Sequence, residues 1–186
     1  TGYLNNKYTV FFCLKFFIKE YKMKKRYFII PIITIAICLF MGYLAGISVK
    51  ADNFSWYNSL NRSPLNPPNI IFPIAWSILY LLMGISIAII INKYIDEQDL
   101  EIKKNIKNYI FLFIIQFILN LFWTYIFFGL KSPLFGFIEI IILDILIIIT
   151  IMKFKTISKA ASYILIPYIL WCLFASYLTL HVLIFN

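Results

Sequence analysis

Five runs of nearly unbroken apolar residues dominate this chain, at roughly 27–49, 70–92, 108–129, 134–152 and 161–185. Each is close to the ~20 residues that an α-helix needs to cross the hydrocarbon core of a bilayer. Lipid offers the backbone no water, so a crossing segment must satisfy its own N–H and C=O groups, which a helix does internally. The expected fold is therefore an all-α integral membrane protein, a five-transmembrane-helix bundle forming one membrane domain over 23–186. Composition agrees, since 62% of the 186 residues are hydrophobic against about 45–50% in a soluble domain.

The net charge of +9 raises the question of nucleic acid. The Lys and Arg residues, however, lie between the apolar runs rather than on one helix face, so they read as topology signals and no nucleic-acid partner is expected. Of the 17 basic residues, 14 lie before the first run or after the second and fourth, and only Lys50, Arg62 and Lys131 fall on the other side. By the positive-inside rule this predicts a multi-pass cell-membrane protein with a cytoplasmic N-terminus and its C-terminus outside. Asp96, Glu97, Asp99 and Glu101 weigh little in that rule and read as a solvated helix cap. The sequence opens with Thr1, whereas Met23-Lys24-Lys25-Arg26 directly precedes an apolar run. Residues 1–22 are thus expected to be a leader or a mis-assigned start, with a surface-lying amphipathic helix as the alternative.

Residues 51–69 connect the first two runs and hold almost nothing that could bury itself in lipid. A connection longer than about 12 residues without periodicity is usually functional or disordered. This one carries Trp56, Tyr57, Leu60, Pro64, Pro67 and Pro68, and aromatics among rigid prolines argue for an ordered lid at the membrane surface, facing outward.

Helical spacing places side chains of interest on shared faces. Trp76, Tyr80 and Met83 share one in the second run; Gln116, Asn120, Trp123 and Phe127 share one in the third; Trp171, Phe174, Ala175 and Leu178 share one in the fifth. Each stripe alone is consistent with plain packing; together they suggest an aromatic-lined cavity. Gln116 and Asn120 need protein partners or a wet cavity, and the pattern leaves both open. Glu139 and Asp144 each cost about 2.5–3.5 kcal/mol if charged at mid-bilayer. Their spacing of five puts them on different faces, so they do not form a carboxylate pair on one helix. Hydrogen bonding inside the bundle is expected for Glu139, and no partner is predicted for Asp144. Gly42 and Gly46 form a small-xxx-small pair that allows close helix approach. Pro73 falls in a first turn, where it costs nothing; Pro133 opens the fourth run, and Pro167 is expected to kink the fifth beside Trp171. Cys13, Cys38 and Cys172 lack metal-ligand spacing, and the single His181 makes a multi-histidine metal site untenable, so no metal is expected.

These motifs resemble the translocator protein family, also called TspO or the peripheral benzodiazepine receptor. The resemblance runs through WYNSL and PLNPP in the lid, PIAWSILYLLMG in the second run, QFILNLFWTYIFFG in the third, the acidic position Glu139 in the fourth and IPYILWCLFASYL in the fifth. Two departures stand out: Leu65 replaces an aromatic residue common before the double proline, and LTLHVLIFN lacks the Tyr followed by Lys or Arg of the cholesterol-recognition pattern. That pattern is weak even where present, and its absence favours a bacterial, porphyrin-type member over a sterol-type one.

The resemblance implies a five-helix bundle, often a homodimer, with a pocket between the first, second and fifth helices beneath the lid. It implies no obligate cofactor. Its implied ligands are tetrapyrroles, protoporphyrin IX or haem, with isoquinoline or benzodiazepine-like molecules in some members. Carried over by position, Trp56, Pro67 and Pro68 belong to the lid, and Trp76, Asn120, Trp123, Trp171 and Ala175 to the pocket. Tyr80, Phe127, Phe174 and Leu178 join them on the shared faces. Trp76 and Trp171 match two tryptophans implicated in light-driven porphyrin degradation and are the catalytic candidates if the chemistry is photochemical. Two indoles covering about 200 Å² of a macrocycle contribute about 5 kcal/mol at ~25 cal/mol per Å², a dissociation constant near ~0.2 mM. Tighter binding needs the lid and donors such as Asn120 or Arg62. Three functions follow: a tetrapyrrole sensor, carrier or scavenger; a light- and oxygen-dependent porphyrin-degrading enzyme; or a proton- or solute-coupled transporter using Glu139 and Asp144.

Overall fold

The computed structural model describes the backbone of residues 3–49 and 51–186, with side chains from Lys25 onward except those of Lys50 and Ala51. The expectations for residues 1–22 fall outside the fully described residues. Helix α1 spans Tyr3–Ile47, α2 Ala51–Ser59, α3 Ile71–Asp96, α4 Leu100–Thr124, α5 Pro133–Ile157, α6 Lys159–Ile164 and α7 Ile166–Phe185. A π-helical turn, Tyr125–Gly129, extends α4. Five of these segments are long and apolar enough to cross a membrane: Lys25–Ile47, Ile71–Asp96, Leu100–Gly129, Pro133–Ile157 and Lys159–Phe185. The protein is a multi-pass membrane protein built as a helical bundle.

Helix ends follow local chemistry. Asp99 caps α4, its carboxylate accepting from Glu101 N at 2.8 Å and Ile102 N at 3.0 Å, so one of the four acidic residues forms the cap and the connection shrinks to Glu97–Asp99. Lys131 adopts φ 50°, an uncommon left-handed conformation for a residue with a Cβ, and reverses the chain before Ser132 caps α5 and Pro133 opens it. The fifth span breaks at Leu165, two residues before Pro167. Pro167 cannot donate, and its ring opposes the carbonyl four residues back, so the interruption appears upstream of the proline itself. The connection 51–69 is not wholly irregular, because its first half is α2.

The spans close into a ring in the order α1, α3, α6–α7, α5, α4. Where α1 meets α3, glycine sets the distance. A Cβ on Gly84 would lie 2.5 Å from Ile35 Cα, and one on Gly42 would lie 2.1 Å from the Tyr80 ring. Gly42 therefore serves packing within the bundle. Thr34 Oγ1 donates to Gly84 O at 2.8 Å across the same contact. At the end remote from the lid, Arg26 pairs with Asp96 at 2.5 Å and donates from Nε to Asn92 at 3.1 Å. Tyr27 hydroxyl also donates to Asp96.

The lid-distal half is filled by buried Ile90, Ile106, Phe113, Ile147, Phe154 and Leu165, with Phe113 stacked on Phe154. Two tyrosines supply the core with polar ties. Tyr80 donates to Asn120 Oδ1 at 3.0 Å and Tyr168 to Gln116 Oε1 at 2.9 Å. The two amides thus find protein partners for their oxygens, one turn apart on α4.

Gly84→Ala must displace backbone rather than a side-chain tip, and overpacking of this kind costs about 1–3 kcal/mol. Thermal unfolding in detergent should show a clear drop for Gly84→Ala and none resolvable for Gly46→Ala, whose Cβ would meet nothing within 4 Å. Tyr80→Phe strips Asn120 Oδ1 of its partner, and leaving a buried acceptor unsatisfied costs about 1–3 kcal/mol. The same assay should register that loss.

Candidate functional site: an aromatic cavity beneath the lid

The lid-proximal half of the bundle holds a cavity of about 630 Å³, within the size range of small-molecule sites. Its walls come from the last turns of α1, the first three turns of α3, the end of α4 with its π-helical turn, and Ala175–Val182 of α7. The pocket expected between the first, second and fifth spans is therefore also walled by the third. Trp76 stacks on Tyr80 with ring centroids 5.6 Å apart, and Trp123 stacks on Phe127 at 5.1 Å with a 9° interplanar angle. These two stacked pairs give the cavity flat, polarisable sides.

The π-helical turn shapes one wall. Such turns are rare and frequent at functional sites, and this one carries Phe127 and Phe128, which meet edge to face at 5.0 Å. Phe127 is buried, and Trp123 Nε1 is spent on Gly136 O at 3.1 Å, which fixes the indole plane. A Cβ on Gly136 would come within 2.9 Å of the Phe127 ring, so glycine on α5 makes room for it.

The lid is pinned rather than loose. Asn53 Nδ2 donates to Phe128 O at 2.7 Å, and Ser63 Oγ and Tyr177 hydroxyl lie 3.1 Å apart. Asn61 N donates to Asn186 Oδ1 at 2.8 Å. Tyr57 points down from α2 as the buried roof, packing edge-on against Phe128 at 5.4 Å and donating to Asn66 Oδ1 at 2.6 Å. The Arg62 guanidinium lies 5.2 Å from the centre of the Tyr57 ring. Burial pushes the Tyr57 phenol above its ordinary value against the opposing pull of Arg62 and of the bond to Asn66, so it remains a neutral donor.

Of the residues singled out from sequence, Trp76, Tyr80, Trp123, Phe127, Ala175 and Leu178 line the cavity. Asn120 is buried behind Tyr80, holding its hydroxyl. Trp56 packs edge-on against Phe127 at 5.6 Å, outside the lining. Pro67 and Pro68 shape the lid, where Pro68 O accepts from Ile71 N at 2.9 Å, and neither lines the cavity. Trp171 and Phe174 also stand outside the lining; Trp171 packs edge to face on the lining residue Phe72 at 6.1 Å, and Phe174 packs on Trp171 and Tyr177. Within α7 the lining begins at Ala175, one turn after Trp171, whose indole packs instead on Phe72 of α3 and on Phe174. Sequence reasoning left out Phe54, Tyr57, Phe72 and Phe128 as lining residues, and also Tyr43 and Gly46 of α1. Tyr57 stands inside WYNSL and was legible there; Gly46 was read only as half of a close-approach pair with Gly42, and Tyr43 sits in a run of uniform hydropathy with no stripe to reveal it.

The two intramembrane acids reverse expectation. Asp144, for which no partner was predicted, accepts from Ser176 Oγ at 2.7 Å, because α5 packs on α7 with these positions opposed. Glu139 was expected to bond within the bundle, yet both its carboxylate oxygens lie buried with no protein donor among the described residues.

The sequence model of the TspO/MBR family matches residues 34–185. The tryptophan-rich protein TspO of Chlorobaculum tepidum is 37% identical over 153 residues, covering 82% of this chain and 92% of the relative. That of Archaeoglobus fulgidus is 35% identical over 148 residues, covering 80% and 91%. The tryptophan-rich sensory protein of Cereibacter sphaeroides is 27% identical over 141 residues, covering 72% and 82%. A match across all five spans, cavity walls included, makes this chain a member of the TspO/MBR family.

Proposed function

We propose that the protein binds tetrapyrroles, protoporphyrin IX or haem, in the cavity beneath the lid and acts as a membrane sensor or carrier for them. The observation that carries this reading is the pair of stacked walls, Trp76 on Tyr80 and Trp123 on Phe127, facing one roomy apolar space. Flat aromatic walls favour a flat aromatic guest, since offset and edge-on ring contacts add about 0.5–1.5 kcal/mol each beyond area burial. Arg62, set over the roof residue Tyr57, is a cation at the lid that can meet an acidic ring substituent. The name of the Cereibacter sphaeroides relative, a tryptophan-rich sensory protein, supports sensing over simple storage. The positive-inside rule places the lid on the non-cytoplasmic side.

Photochemical degradation is the second reading, and the position of Trp76 in the wall favours it. Excited porphyrin lying against Trp76 would be in van der Waals reach of an oxidisable indole. Trp171, one ring further out behind Phe72, could act only through that intervening contact.

The test is a dark titration of the purified protein with protoporphyrin IX, following tryptophan quenching and the Soret band, and then illumination of the same sample. Saturable binding beyond detergent partitioning is expected; its absence overturns the assignment. Trp123→Ala removes about 100 Å² of stacking surface, worth up to ~2.5 kcal/mol, and partition of the ligand into detergent should reduce the visible effect to about tenfold in Kd. Light-dependent loss of the Soret band that needs Trp76, and is absent with free porphyrin, would make the enzyme the better reading.

A further inference from the structure

The α1–α3 contact is a fork. Gly84 and Tyr80 of α3 meet Ile35 and Gly42 of α1, and helical spacing continues these two faces toward the lid through Ser77 and Pro73 on α3 and Gly46 on α1. The lower half of this seam is closed at Gly84–Ile35 and Gly42–Tyr80. One turn above Gly42 it is open: a Cβ on Gly46 would meet nothing within 4 Å, and Gly46, Pro73 and Ser77 are all exposed. The same three residues line the cavity. The gap between the helices is therefore continuous with the interior space.

The lips of this opening suit immersion in lipid. Tyr43, Ile47 and Ile70 line the cavity and also stand 64%, 57% and 64% exposed. Pro73 has no N–H to expose, and Ser77 Oγ donates back to Pro73 O at 2.8 Å, so the α3 lip offers the bilayer no free hydroxyl donor, as the membrane interior requires. The opening spans roughly the last two turns of α1 and the first two of α3, about 10 Å of depth at 1.5 Å per residue. On the aqueous side the lid is bonded to the π-helical turn and to α7. The polar rim lies just above the fork, where Arg62 Nη1 reaches Asn69 Oδ1 at 3.5 Å and Asn69 Nδ2 reaches Asn58 at 3.4 Å.

We propose that the fork between α1 and α3 is a lateral portal through which the ligand enters from the bilayer rather than from water, an apolar body passing between Gly46 and Ser77 while an anionic group stays at the Arg62–Asn69 rim. The ligand class is an amphiphile with a rigid or chain-like apolar part and an acidic end. This rests on the cavity being a ligand site.

The experiment uses the full chain in lipid nanodiscs with Gly46→Cys and Ser77→Cys in a Cys13→Ser background; the native Cys38 and Cys172 are buried. The two lips are joined by a short cleavable bis-maleimide, and protoporphyrin IX is delivered from donor vesicles. Joining should slow association at least about tenfold, with recovery on cleavage, because narrowing the access route acts on the on-rate. An unchanged rate in the joined protein overturns the portal. If the unjoined protein binds no porphyrin, the tetrapyrrole reading fails, and the portal is decided by a second readout. A bimane on Gly46→Cys should be quenched by acyl-brominated lipid and spared by aqueous iodide; quenching by iodide alone overturns it.

Discussion

Tyr80 is the contact on which the lid-proximal half of the bundle depends. Its ring fills the space that glycine leaves at Gly42 on α1, its face stacks on Trp76 one turn away, and its hydroxyl holds Asn120 on α4. One side chain thus sets the spacing of three spans. It also marks the level at which the packed core ends and the cavity begins. Below it the bundle is filled by aliphatic and phenylalanine side chains, and above it the walls are aromatic but the middle is open.

Within lipid the usual driving force for packing is weak, because the tails are as apolar as leucine. Association must come from close backbone approach and from hydrogen bonds between spans. The structure uses both, through Gly84 and Gly42 on the α1–α3 seam and through Tyr80–Asn120, Tyr168–Gln116, Ser86–Ala161 and Ser176–Asp144 elsewhere. That economy explains why α1, which turns mostly large apolar side chains outward, is held chiefly along a single seam with α3. A helix tied in its lower half is free to diverge in its upper half, and the cavity opens where it does.

The lid is rigid for a related reason. An aqueous loop over an apolar cavity would leave its own polar groups and the cavity roof in competition for water. Here Asn53, Ser63 and Asn61 bond to the π-helical turn and to α7, while Tyr57 closes the roof with a buried ring. The cavity is thereby shielded from above and left accessible at its side, an arrangement consistent with a guest that already resides in the membrane.

Much of this was legible in the amino-acid sequence. The five spans follow from length and hydropathy, since lipid permits only helices there, and Trp76, Tyr80, Trp123 and Phe127 were placed on common faces by helical periodicity alone. An acidic helix cap among Asp96, Glu97, Asp99 and Glu101, the opening of α5 at Pro133 and an interruption near Pro167 followed from local chemistry, and the structure singled out Asp99 as the cap. Tertiary structure decided what periodicity cannot carry. Packing against Phe72 of α3 left Trp171 outside the cavity lining, although it shares a helix face with Ala175 and Leu178. The packing of α5 on α7 gave Asp144 a partner, while Glu139 has no donor among the described residues. The divergence of α1 from α3 made Gly46 a portal residue rather than a contact. A one-dimensional pattern tells which residues share a face, but which faces meet, and where they part, is set by the shapes of side chains on other helices.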